Sequence, residues 1–138
     1  MAPEPAPYYD DIADGPEGRA VWVRAQDGVR LRVGGWRAPG EAGTVLLFPG
    51  RTEFIEKYGR TAAELCAAGL SVLAIDWRGQ GLSDRLIEAP LTGHVGAFAD
   101  YQRDVAALVE VARALEFPEP WHLLAHSMGG AIGLRALI

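Results

Sequence analysis

Trp121-His122-Leu123-Leu124-Ala125-His126-Ser127-Met128-Gly129-Gly130-Ala131-Ile132-Gly133 is the stretch whose reading decides the fold of this chain. A short apolar run meets a small, glycine-rich turn, and Ile132, Leu134 and Leu137 then recur at helical spacing. The pattern predicts a strand, a sharp turn and a helix, with Ser127 at the apex. Two roles fit a serine there. It is either a nucleophile held clear of the sheet by strained backbone, or a plain N-cap of the helix that follows a buried turn. The first role demands almost no side chain two places either side of the serine, so that strand and helix pass closely. Gly129 meets that demand on one side, and Ala125 meets it on the other with one extra methyl group.

Upstream of this stretch, Phe98, Tyr101, Val105, Leu108, Val109, Ala112 and Leu115 mark one face of a long helix that Phe117-Pro118 ends. Leu70 to Ile75 and Thr44 to Phe48 are compact apolar runs suited to strands buried on both faces. Between them Ile55, Tyr58, Ala62, Leu65 and Cys66 fall three or four apart, and Gly69 stops the pattern. This is a strand-helix-strand unit with parallel strands and a right-handed crossover. Asp27-Gly28 is a hairpin signal between the β-rich runs Ala20 to Val23 and Val29 to Gly35, giving an antiparallel entry pair. Residues 1 to 18, rich in Pro, Ala and acidic residues, are expected to form a flexible or loosely docked arm. The arm has neither the basic region nor the apolar region of a secretory signal. The order of elements is that of an α/β protein, with residues 19 to 138 as the amino-terminal part of its domain.

Composition bounds the function. The chain has 138 residues, 49% hydrophobic and 22% charged, with a net charge of -5, so it can bury a core and carries no electrostatic footprint for nucleic acid. No Lys/Arg cluster points to an anionic membrane surface, and no uncharged run is long enough to span a bilayer. The single cysteine, Cys66, cannot form an internal disulfide and reads as a small core residue. No metal or cofactor motif is present.

Four motifs in order carry a resemblance: Phe48-Pro49-Gly50-Arg51-Thr52-Glu53, the DWRGQGLSD run from Asp76 to Asp84, Gly93-His94 before the helix with Tyr101 and Asp104, and LLAHSMGGA from Leu123 to Ala131. Together they resemble the bacterial lysophospholipase and monoacylglycerol-lipase family of serine α/β-hydrolases, from about Val21 to the last residue. The last motif resembles that family's GxSxG nucleophile elbow. The resemblance implies a mostly parallel sheet with an antiparallel entry hairpin. It also implies Ser127 as the nucleophile of an acyl-enzyme, and an oxyanion hole made by the backbone N–H groups of Met128 and Arg51. Most relatives have His-Gly where this chain has Pro49-Gly50, an exchange that keeps a backbone donor at Arg51. Arg78, Gly79, Gly81 and Ser83 are expected to be structural, with Arg78 tying loops together. The implied substrate is a lipid ester, such as a lysophospholipid or monoacylglycerol. The implied location is the cytoplasm, with at most a transient contact at the inner membrane surface.

The base and its acid are the difficulty. In this fold they follow the serine, yet residues 128 to 138 contain no Asp, Glu or His. His126 adjoins the nucleophile and is expected to face away from it, His122 lies back in the strand, and His94 precedes the serine; each is read as structural. The chain is therefore expected to be the amino-terminal part of a larger hydrolase, truncated after the elbow and inactive alone. The alternative is a non-catalytic binding or interaction module.

Overall fold

The computed structural model describes residues 3–85 and 96–138. His94 and Gly93 lie outside the described residues. The described residues form a six-stranded sheet in the order β1-β2-β3-β5-β4-β6, where β1 is Glu4–Ala6, β2 Arg19–Arg24, β3 Arg30–Trp36, β4 Gly43–Phe48, β5 Leu70–Ile75 and β6 Trp121–Ala125. The helices are α1 (Gly59–Ala67), α2 (Tyr101–Ala114) and α3 (Met128–Leu137). β4 pairs in parallel with both β5 and β6, whereas β2 and β3 form the expected antiparallel hairpin, closed by Gly28 at φ 87°.

Alternation along the central strands builds two cores. Leu46, Phe48, Leu73 and Ile75 face one side, against Leu108, Val111 and Phe117 of the α2 region and Ile132 of α3. Leu47, Val72 and Ala74 face the other, against Ile55 and Ala62, with Leu65 and Cys66 packed beside them. Burial of both faces explains why these strands read as unbroken apolar runs. The Cys66 thiol is half-buried, and burial pushes its pKa up, as befits a core residue.

The single helix expected from Ile55 onward is divided into a 3₁₀ turn, Ile55–Tyr58, followed by α1. The cause is polar: Ile55 N–H donates to Asp76 Oδ1 at 3.0 Å, and the buried Glu56 carboxylate receives both terminal nitrogens of Arg32 at 2.6 Å. These tertiary bonds tighten the first turn. α2 ends at a left-handed residue, Glu116 (φ 56°), with Phe117 N–H bonding back to Ala112 O, so the chain turns before Pro118.

The segment read as a flexible arm lies along the sheet. Its residues 4–6 pair with β2, and Tyr8 receives a 2.9 Å bond from Trp36 Nε1 while meeting that ring edge-on.

Two buried arginines lock the loops that flank the carboxyl end of β5. Arg32 bridges Glu56 and Asp76, and Arg78 bridges Asp104 of α2 (2.8 Å) and Asp27 of the hairpin turn (2.8 Å). Gly81, at φ 53°, passes so close to Asp76 that a Cβ there would stand 2.2 Å from the carboxylate. Removing one partner of a buried ion pair leaves the other charge uncompensated, at a cost of about 3–5 kcal/mol. Arg32→Met is therefore expected to lower the unfolding free energy by about 3–5 kcal/mol in a urea titration. A loss below about 1 kcal/mol, the range of an exposed pair, would contradict this account of the loop.

Candidate active site

Parallel pairing of β4 with β6 puts Phe48 opposite Ala125, so the chain leaves both strands at the same end of the sheet and at the same level. The loop from Pro49 to Phe54 and the turn at Ser127 emerge side by side. His126 N–H donates to Phe48 O at 3.0 Å and ties the two together.

Ser127 itself sits at φ 55°, ψ -119°, a conformation that L-residues seldom adopt and that persists only where the surroundings impose it. It stands at the N-cap position of α3, but its side chain makes no capping bond to the helix. Gly129 N–H and Gly130 N–H close the turn onto His126 O (3.0 Å) and Ser127 O (2.8 Å). The steric demand on Gly129 is severe: a Cβ there would lie 2.1 Å from Phe48 O and 2.6 Å from Pro49 O. A glycine at this position is what allows α3 to start directly against the loop after β4. Met128, whose N–H follows the serine, is the first residue of α3, where helical N–H groups point outward and the helix dipole favours negative charge.

Arg51 lies on the facing loop. A Cβ on its neighbour Gly50 would stand 3.3 Å from Ser127 Cβ and 3.1 Å from His126 Nδ1, so the loop presses directly against the elbow. The loop is pinned at three points. Trp77 Nε1 donates to Pro49 O at 2.9 Å, Gly50 N–H donates to Glu53 Oε1 at 2.5 Å, and Thr52 N–H donates to Gln80 Oε1. Trp77 is in turn held edge-on between Phe48 and Tyr101. Arg51 thus stands between two fixed neighbours, and Thr52 carries a strained φ of 64°.

Glu53 was quoted in a motif but given no role by sequence reasoning, and it is the hub of this loop. It is 7% exposed and receives Gly50 N–H, the Tyr58 hydroxyl, Lys57 Nζ at 2.8 Å and the His126 ring at 3.3 Å. Burial pushes its carboxyl up, but the bonds from Lys57, Tyr58, Gly50 and His126 outweigh burial and hold it at about 2. The sequence signal that could have found it is an acid three residues after a loop glycine.

His126, expected to face away from the nucleophile, instead turns its Nδ1 to Glu53 beside the Gly50 loop, with its side chain 66% exposed. The reason is the hydrogen bond: the loop offers a buried carboxylate within reach of a residue whose backbone is already bonded to Phe48. His122 is exposed on β6. Among the described residues, no group of His, Cys, Asp or Glu could hold a metal ion, and no helix is long and apolar enough to cross a membrane.

The depressed Glu53 pKa has a pH signature. In an unfolded chain a glutamate titrates near about 4.3, so ionised Glu53 stabilises the fold fully above that value, and the contribution is lost as pH falls through about 2. Glu53→Gln is expected to be less stable than the parent at neutral pH, with the difference shrinking below about pH 4. Urea midpoints measured across that range check it, and a pH-independent difference would count against Glu53 as the ionised hub.

Comparison with known proteins shows the family and the fold. A family model described as serine aminopeptidase, S33, matches residues 40–138. Lysophospholipase L2 of Escherichia coli strain K12 is 43% identical over 109 residues, covering 77% of this chain and 31% of that protein. Phospholipase YtpA of Bacillus subtilis is 28% identical over 100 residues, covering 72% of this chain and 36% of that protein. The chain spans about a third of the length of the curated relatives it matches. Among solved structures, the Pyrococcus furiosus esterase Pf2001 superposes with a TM-score of 0.71 at 22% identity, covering 99% of this chain and 52% of that one. A thermostable carboxyl esterase from Bacillus coagulans superposes at 0.74 with 17% identity, covering 88% and 40%. These structural likenesses carry the fold, an α/β-hydrolase sheet.

Proposed function

The chain belongs to the serine aminopeptidase S33 family of α/β-hydrolases, and from that premise we propose that it supplies the nucleophile and oxyanion hole of a carboxylic ester hydrolase. The observation that carries the reading is the strained Ser127 at the start of α3, pressed against a loop pinned at Pro49, Gly50 and Thr52. In the proposed reaction Ser127 Oγ attacks the ester carbonyl, and the N–H groups of Met128 and Arg51 receive the developing oxyanion. The alcohol leaves, and water then releases the acid from Ser127. Identity to lysophospholipase L2 favours a lipid ester, a lysophospholipid or monoacylglycerol, as substrate. A general base is still required, and residues 128–138 supply no imidazole or carboxylate. Turnover is therefore assigned to this chain joined to the carboxy-terminal region of a relative, and not to the 138 residues alone. Any contact with a membrane would be peripheral and transient.

A chimera of this chain with the carboxy-terminal region of E. coli lysophospholipase L2 tests the substrate class. It is expected to release fatty acid from a lysophospholipid, and a chimera that hydrolyses a nitrophenyl ester but no lipid ester would overturn that part of the reading. The hole is tested separately by Arg51→Pro, which removes the N–H, beside Arg51→Ala, which keeps it. Loss of one oxyanion donor costs about 10²–10³ in kcat. That loss is expected for Arg51→Pro alone, and equal rates in the two variants would remove Arg51 from the hole.

A further inference from the structure

Beside the Arg51 loop lies a pocket that the proposed ester chemistry does not use. It encloses about 380 Å³, and its walls include Tyr9 and Ile12 of the amino-terminal arm, Phe54 at the end of the Arg51 loop, and Gln80, Leu82 and Arg85 of the loop after β5. No elbow residue lines it. The volume is within the range of small-molecule sites, about 300–1,000 Å³. Tyr9, Ile12, Phe54 and Leu82 are all large apolar side chains left exposed, and three separate segments bring them to one place.

Two donors in this wall are shielded from water and have no partner among the described residues: Gln80 Nε2 and Arg85 Nη1. Gln80 as a whole is 3% exposed. Because Thr52 N–H donates to its Oε1, the orientation of the amide is fixed and the nitrogen is the unoccupied end. Arg85 directs Nη2 to Gly81 O at 2.9 Å. Arg32 and Glu56 also line the pocket, but they neutralise each other through paired 2.6 Å bonds. Among the described residues of the wall, the cation left to a ligand is Arg85. A buried donor without an acceptor is destabilising, and a ligand oxygen placed there removes that cost.

We propose that this pocket binds a single-chain amphiphile with an anionic head. A carboxylate or phosphate accepts from Arg85 Nη1 and Gln80 Nε2, and the alkyl chain lies against Tyr9, Ile12, Phe54 and Leu82. Gln80 then serves two partners at once, the ligand through its nitrogen and the Arg51 loop through its oxygen. The site stands independently of any role for Ser127.

Fluorescence titration of the chain with dansylaminoundecanoic acid tests the proposal, with dodecanoate, dodecyl phosphate and dodecanol as competitors. Saturable binding is expected, displaced at least about tenfold better by an anion than by dodecanol, as a charge-assisted bond requires. The stronger of the two anions identifies the head group. Arg85→Gln is expected to weaken the anions about tenfold while sparing dodecanol, and Ile12→Asp, on an exposed position, to weaken every competitor. Ser127→Ala is expected to bind as the parent does. Absence of saturable binding, equal displacement by dodecanol, parent affinity in both pocket variants, or loss of binding in Ser127→Ala would each overturn it.

Discussion

Replacing Ser127 by alanine, in the chimera that continues this chain with the carboxy-terminal region of lysophospholipase L2, is expected to lower ester turnover by about 10⁴-fold or more. Two features confine that loss to the missing hydroxyl. The serine is held at φ 55° with its side chain unspent on helix capping, an arrangement with no structural benefit to α3. Gly129 and Gly50 are both fitted against neighbours so tightly that a Cβ would clash, which preserves the approach of loop and elbow without any contribution from Oγ. The variant should therefore fold as the parent does and lose only the attacking atom. Binding and the oxyanion donors would persist, which is why a small residual rate over water is expected. Full turnover by Ser127→Ala, measured with a nitrophenyl ester, would remove Ser127 from the chemistry.

The second large effect concerns the 138-residue chain alone, whose ester turnover is expected to be about 10⁴-fold below that of the chimera. A serine needs an imidazole to accept the proton from Oγ, and residues 128–138 contain none. His126 turns its Nδ1 to Glu53 on the loop, at 3.3 Å. The same chain is expected to self-associate. Among the described residues β6 pairs only with β4, and the edge it presents is apolar, with Leu123 38% and Leu124 43% exposed. Leu134 and Leu137 add exposed apolar surface on α3. Edges of this kind pair with further strands unless charge, a bulge or a covering element prevents it. Sedimentation alongside the rate assay checks both parts. A monomer that turns over esters at the rate of the chimera would contradict the assignment of the base and the reading of the edge together.

Sequence patterning made the central sheet legible because burial on both faces writes an unbroken apolar run. Leu70 to Ile75 appears as β5 with the bounds expected for it, and β4 differs by the single residue Gly43. The hairpin at Asp27-Gly28 was legible for a different reason: a left-handed turn leaves its glycine in the sequence. The start of the first helix was not legible, because the 3₁₀ turn at Ile55 is imposed by Arg32 and Asp76, each more than twenty residues away in sequence. The same limit hid Glu53 and Gln80. Their work consists of hydrogen bonds to backbone N–H groups of a loop, and such bonds leave no periodicity. At the elbow, the small residues around Ser127 reported a steric constraint that the structure makes concrete at Phe48 O and Pro49 O. The orientation of His126 went the other way, since strand alternation alone sends it off and only the buried carboxylate of Glu53 draws it to the loop.

The account turns on a covalent bond at one oxygen. Rapid quenching of the chimera during turnover of a nitrophenyl ester, followed by peptide mass spectrometry, reads that bond directly. One acyl group on the peptide containing Ser127, absent from Ser127→Ala, is the predicted result; an acyl group on any other residue, with Ser127 unmodified during steady turnover, would contradict it.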